Sequence, residues 1–138
     1  MTIWLRRIAS PLAGFGATAL LSFGTDELLY SLEVLPRGPH HIYPLHILEL
    51  SYRCLWAVAG GWIAARLAPD HPMRHALALA TFAFLVTGVG TAATWNMGLG
   101  PAWFAIGILV LTPLCIVAGA RIVTRRGQLT TSTRRSPA

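Results

Sequence analysis

Four long apolar stretches, parted by clusters of proline and glycine, dominate this chain and restrict what it can fold into. A helix needs about 20 mainly apolar residues to cross a bilayer, because each adds about 1.5 Å against a hydrocarbon core about 30 Å thick. The first stretch covers about 8–24 and extends through Leu28, Leu29 and Leu32 toward Pro36. The others cover about 47–67, 76–95 and 102–121. Each is predicted to be a membrane-spanning helix.

Turn residues mark the connections. Pro36, Gly38, Pro39 and Pro44 break the first, Pro69 and Pro72 the second, and Gly98 to Pro101 the third. The last two are short, which predicts helices 2, 3 and 4 as antiparallel neighbours connected in order around a bundle. Pro113 is expected to kink the fourth helix. The expected fold class is therefore all-α: a membrane-embedded bundle of four transmembrane helices over 1–123. A basic tail over 124–138 follows, polar enough to be expected without fixed structure.

Composition agrees. Charged residues make up 12% of the chain and hydrophobic ones 54%, against about 25% charged in a soluble domain. So few charges could not cover a water-facing surface, whereas lipid solvates apolar faces. All 11 basic residues are Arg, which with abundant Ala and Gly points to a GC-rich bacterial genome.

Arginine placement sets the expected orientation, since cytoplasmic loops carry the basic excess. With the N-terminus inside, Arg6, Arg7, Arg66, Arg74, Arg121, Arg125, Arg126, Arg134 and Arg135 are cytoplasmic, and only Arg37 and Arg53 are not. Both termini are then cytoplasmic, in the inner membrane. The outer connection holds Asp26, Glu27 and Glu33, and Tyr30, Tyr43, Tyr52, Trp95 and Trp103 would line the outer interface. The net charge of +6 does not mark a nucleic-acid binder, because the arginines sit at helix ends rather than on one basic face. A rival reading takes the first helix as a signal peptide cleaved at Ala17-Thr18-Ala19. That triplet lies inside the apolar run, before Leu20, Leu21 and Phe23, rather than at its end.

Polar residues in or near the spans are the candidate site. Glu49 and Arg53, four apart on helix 2, share a face and can pair. One reading makes them a ligand-binding pair at an outer vestibule, because intramembrane charges face cavities or bundle interiors. The other makes them depth anchors whose long side chains snorkel to the interface. His46 and Glu49 are three apart and, with His40 and His41, are weak candidates for a metal shell, although the spacing matches no known ligand pattern. Asp70 is expected to cap helix 3 ahead of Pro72, with His71 and His75 beside it. Cys54 and Cys115 differ in expected depth by roughly 9 Å, which separates them beyond disulfide reach.

Small residues at Ala9, Ala13 and Ala17, at Gly61 and Ala65, and at Gly88 and Ala92 are expected to let helices approach closely. Thr87, Thr91 and Thr94 are expected to bond across helix interfaces. No Asp, Glu, His, Lys or Arg occupies the middle of a predicted span, and no phosphate-binding loop, zinc-protease or nucleophile-elbow motif occurs. Nothing calls for a cofactor.

Two stretches carry a resemblance. Ala59-Gly60-Gly61-Trp62-Ile63-Ala64-Ala65-Arg66-Leu67-Ala68-Pro69, with Pro72, Met73 and His75-Ala76-Leu77, is one. Pro101-Ala102-Trp103-Phe104, leading through Pro113 to Gly119, is the other. Together they resemble small bacterial four-helix integral membrane proteins of uncharacterised role. The resemblance implies four-helix topology and carries over no catalytic residue.

The expected function is that of a non-enzymatic packing or accessory protein. Its partners would be the lipid bilayer and a second copy or another membrane protein. One alternative is a small oligomeric transporter or channel with Glu49 and Arg53 at an outer vestibule. Another is a membrane enzyme with an outer-face His/Glu site.

Overall fold

The computed structural model describes residues 3–39 and 42–134, with side chains described as far as Arg125. All four expected helices are present: α1 (Ile3–Ser31), α2 (Tyr43–Leu67), α3 (Pro72–Thr94) and α4 (Ala102–Arg134). No strand occurs among the described residues.

Local chemistry explains where the helices differ from expectation. α2 begins at Tyr43 rather than 47, and α3 at Pro72 rather than 76, because Pro44 and Pro72 sit in first turns where a missing N–H costs nothing. α1 ends in a Schellman motif. Val34 N–H donates to the Leu29 carbonyl at 3.0 Å and Glu33 N–H to that of Tyr30 at 3.2 Å, with Glu33 left-handed at φ 57°. A 3₁₀ turn at Trp95–Met97 closes α3, and Gly98 supplies the left-handed residue (φ 63°) that redirects the chain. The tail is not structureless from Thr124: α4 runs on to Arg134, since no proline interrupts it before Pro137.

The helices are not connected in order around the bundle. α2 packs most extensively on α4, to which it runs parallel, while α1 packs on α2 and α3 on α4. Glycine dictates this arrangement. A Cβ at Gly61 would collide with the Ile116 carbonyl, and one at Gly119 with the Val58 carbonyl, so α2 and α4 touch backbone to backbone. A Cβ at Gly14 would lie 2.6 Å from the Gly60 carbonyl, which brings α1 equally close on the neighbouring face of α2. Consecutive glycines thus let α2 accept a helix on each side.

Small residues fill the interior and large ones face outward. Ala57, Ala64, Leu79, Ala80, Ala83 and Ile116 form the central cluster, and Ala65, Ala76 and Ala120 a second. Leu20 is 76% exposed, Val89 71% and Phe23 68%. A soluble bundle buries its largest apolar side chains. The reverse distribution suits lipid, where close backbone packing rather than apolar burial holds helices together.

Three segments, Ile3–Ser31, Pro72–Met97 and Ala102–Arg125, are long and apolar enough to cross a membrane. α2 has 25 residues and a length of about 37 Å, enough to span, but Glu49, Arg53 and Arg66 lower its apolarity. It is also the helix that the others surround.

The helix faces differ in detail from expectation. On α1 the buried positions are Ser10, Gly14, Ser22 and Asp26, one residue round from the expected Ala9-Ala13-Ala17 stripe, of which Ala9 is exposed. Gly61 and Ala65 do lie in a packed face. Gly88 meets only the end of Leu109, and Ala92 is exposed.

Candidate functional site

The polar residues gather at the end of the bundle that carries the α1–α2 and α3–α4 connections. Their centre is Asp26, which the sequence reading placed in a loop. Because α1 continues to Ser31, Asp26 lies on its packed face and is only 8% exposed. It completes a four-residue repeat of small or polar side chains, Ser10, Gly14, Thr18, Ser22 and Asp26, which occupy one side of the helix.

α2 supplies the partners. Arg53 Nη2 donates to Asp26 Oδ2 at 2.7 Å, and the Tyr52 hydroxyl donates to Asp26 Oδ1. Tyr52 therefore faces into the bundle rather than lining an interface. One turn along, the Trp56 indole N–H donates to Thr25 Oγ1 at 2.9 Å. The Thr18 hydroxyl then bonds the Gly14 carbonyl at 2.9 Å and the Trp56 carbonyl at 3.3 Å. The interhelical bonds among them join α1 to α2 over about two turns of α1.

Arg53 thus reaches across to α1, and Glu49 turns to His46. His46 Nδ1 and Glu49 Oε2 are 3.1 Å apart, with the residues 2% and 7% exposed. The His46 ring packs on Phe104 with centroids 4.8 Å apart, and a Cβ at Gly100 would lie 3.3 Å from its Cε1. Glycine at position 100 is what lets α4 begin directly over the imidazole. The expected spacing of His46 and Glu49 is realised as a hydrogen-bonded pair. His40 and His41 lie outside the described residues, and no three His, Cys, Asp or Glu side chains among the described residues converge on a metal position.

Beside this network is a cavity of about 790 Å³ between α1, α3 and α4. Arg53 forms part of its wall with Phe23, Thr87, Thr91, Thr94 and Phe104. The threonines expected to cement helices line this space instead, and Thr94 Oγ1 satisfies itself on the Gly90 carbonyl at 2.8 Å. A second cavity of about 220 Å³ shares Phe23, Arg53, Thr87 and Ile108 with the first and reaches Leu79 and Ile116 near mid-bundle. Among the described residues, Arg53 is the one ionisable residue lining either cavity. Its Nε is buried and bonds nothing among the described residues.

At the opposite end, Asp70 does not cap α3. His71 holds that position in a left-handed conformation (φ 41°) without a side-chain bond. Asp70 instead takes a two-pronged bond from Arg7, Nη2–Oδ2 at 2.7 Å and Nε–Oδ1 at 3.3 Å, which ties α1 to the α2–α3 connection. The Arg7 bond holds the Asp70 carboxyl below its ordinary range. His75 Nδ1 lies 3.4 Å from the His71 carbonyl.

Cys54 and Cys115 are neighbours, contrary to the expected 9 Å offset. Both are free thiols. The reason is the earlier start of α2: counted from Tyr43 and Ala102, the two cysteines differ in depth by about two residues, or about 3 Å.

Fold and site together define a helical, membrane-embedded, multi-pass protein with a polar cluster at one end of the bundle. No protein family, curated protein or solved structure matches the chain.

Proposed function

We propose that this is a four-span protein of the bacterial inner membrane with both termini cytoplasmic, and that it works as a non-enzymatic binding and packing protein, an accessory to its own copies or to another membrane protein. One observation carries the reading: the Asp26–Arg53 pair, 2.7 Å across the α1–α2 interface. It neutralises the charge that sets α2 apart from its apolar neighbours, so α2 can span while sheltered among them. The preponderance of arginine at the Arg7/Asp70 end supports the cytoplasmic assignment of that end. A cavity with one cation and no nucleophile–base pair on its wall suits holding a molecule rather than converting it.

Crosslinking the full-length chain in its native membranes tests the reading. A discrete crosslinked species, containing a second copy or one defined membrane protein, is expected. Recovery of the monomer alone would overturn the accessory role, and a C-terminal reporter found outside would overturn the orientation.

A transporter or channel is the second reading, favoured by the two cavities that share Arg53 and extend from the bundle end to Leu79 and Ile116. It requires an oligomer, because one four-helix chain encloses too little space for a complete path. Unchanged solute flux in Arg53→Ala and Glu49→Gln would remove it.

A further inference from the structure

The charge balance around the larger cavity narrows what it can hold. Arg53 Nη2 donates to Asp26, while the arginine side chain, 30% exposed, lines the space. The Asp26 carboxylate nevertheless offsets its charge. An anionic ligand would add net negative charge in a low-dielectric region that already contains Asp26 and Glu49, and a cation would face Arg53. What fits is an uncharged group with acceptor oxygens, set to receive N–H bonds from Arg53 and hydroxyl bonds from Thr87 and Thr91. The remaining wall is apolar and aromatic, with Phe23, Trp95 and Phe104 offering ring faces and Leu99 and Ile108 aliphatic surface. A volume of about 790 Å³ falls within the range of sites that enclose one small molecule.

We propose that this cavity binds a lipid-soluble quinone drawn from the bilayer, its carbonyl oxygens toward Arg53 and the threonines, its ring among Phe23, Trp95 and Phe104, and its tail leaving toward lipid. The planar ring separates this ligand from a glycerolipid, whose flexible ester head has no flat face to set against aromatic walls. This is a binding proposal only. It rests on the membrane-embedded reading, but it does not depend on orientation or on a protein partner.

The test uses the full-length chain in quinone-free detergent and decylubiquinone as the probe. Tryptophan fluorescence is the readout, because Trp95 lines the cavity. Saturable quenching with thermal stabilisation is expected. Thr91→Phe, which fills the cavity without touching the Asp26–Arg53 pair, is expected to weaken binding by about tenfold or more. The double variant Asp26→Asn/Arg53→Met removes the arginine donors without stranding a charge and is expected to weaken it similarly. Three results would each overturn the proposal: quenching that never saturates, an affinity unchanged in Thr91→Phe, or tighter binding of dioctanoylglycerol or oleate than of the quinone. None of these depends on the crosslinking result or on the side of the membrane to which the termini belong.

Discussion

Arg53 on α2 and Asp26 on α1 neutralise each other across a helix interface, Nη2 to Oδ2 at 2.7 Å, with Tyr52 bonded to the second carboxylate oxygen. Neither residue is stable there alone. Asp26→Ala or Arg53→Ala strands a charge inside the bundle, and each is expected to lower stability by about 3–5 kcal/mol. The double variant Asp26→Ala/Arg53→Ala, which strands no charge, is expected to cost clearly less than the two single variants summed. Unfolding in mixed detergent, run as a double-mutant cycle, measures the coupling. Additive losses would mean that the pair does not stabilise the interface.

Glycines on the two faces of α2 are set for close approach, whereas others face open space. Gly61→Ala and Gly119→Ala each drive a methyl into a backbone carbonyl of the facing helix. A loss of about 2–3 kcal/mol is expected for each. Gly16 and Gly24 have nothing within 4 Å of an added Cβ. Alanine there is expected to be neutral or to stabilise by up to about 1 kcal/mol. Equal effects at all four positions would contradict the packing described.

Arg7 and Asp70 make stability depend on pH at the acidic end. Arg7 lowers the folded-state pKa of Asp70 beneath its ordinary value of 3.8, so the unfolded chain takes up the proton first. The contribution is complete above that value and is lost as pH falls through the lower, folded-state pKa. A melting curve for Asp70→Asn should therefore lie below that of the parent protein at neutral pH and converge with it in strong acid. A gap that stays constant down to pH 2 would show that the bond contributes nothing through ionisation.

Cys54 and Cys115 report on the parallel contact between α2 and α4. A short bifunctional thiol reagent is expected to link them within one chain, protecting both from later maleimide labelling. In Cys54→Ser, Cys115 is expected to label with maleimide after the same treatment is quenched. Independent labelling of both thiols in the treated protein would separate the helices.

Much of this structure was legible in the apolar runs. They placed four helices because period and length act locally, and the prolines at 44 and 72 mark the starts of α2 and α3. The order of packing was not legible. It depends on which glycine face meets which carbonyl, and Gly60 and Gly61 look alike until a neighbour is present. Half of the candidate site was visible in Glu49 and Arg53, but their partners were not. Asp26 is acidic and lies beyond the apolar stretch of 8–24, so charge alone places it with Glu27 and Glu33 in the outer connection. Its signal was the Ser10-Gly14-Thr18-Ser22-Asp26 repeat, which outlines the packed face of α1. The cavity was beyond sequence, since Thr87, Thr91 and Thr94 have the same spacing whether they face a helix or a space.

The central claim is that α2 crosses the membrane despite its charges, because Asp26 neutralises Arg53. Labelling by a membrane-impermeant maleimide tests it most directly. In intact cells and in a Cys54→Ser/Cys115→Ser background, Leu32→Cys and His71→Cys put single thiols in the connections that precede and follow α2. Labelling from outside at position 32, with position 71 reached only after the membrane is opened, is the result expected. Labelling of both positions from the same side would mean that α2 does not span, and would contradict the claim.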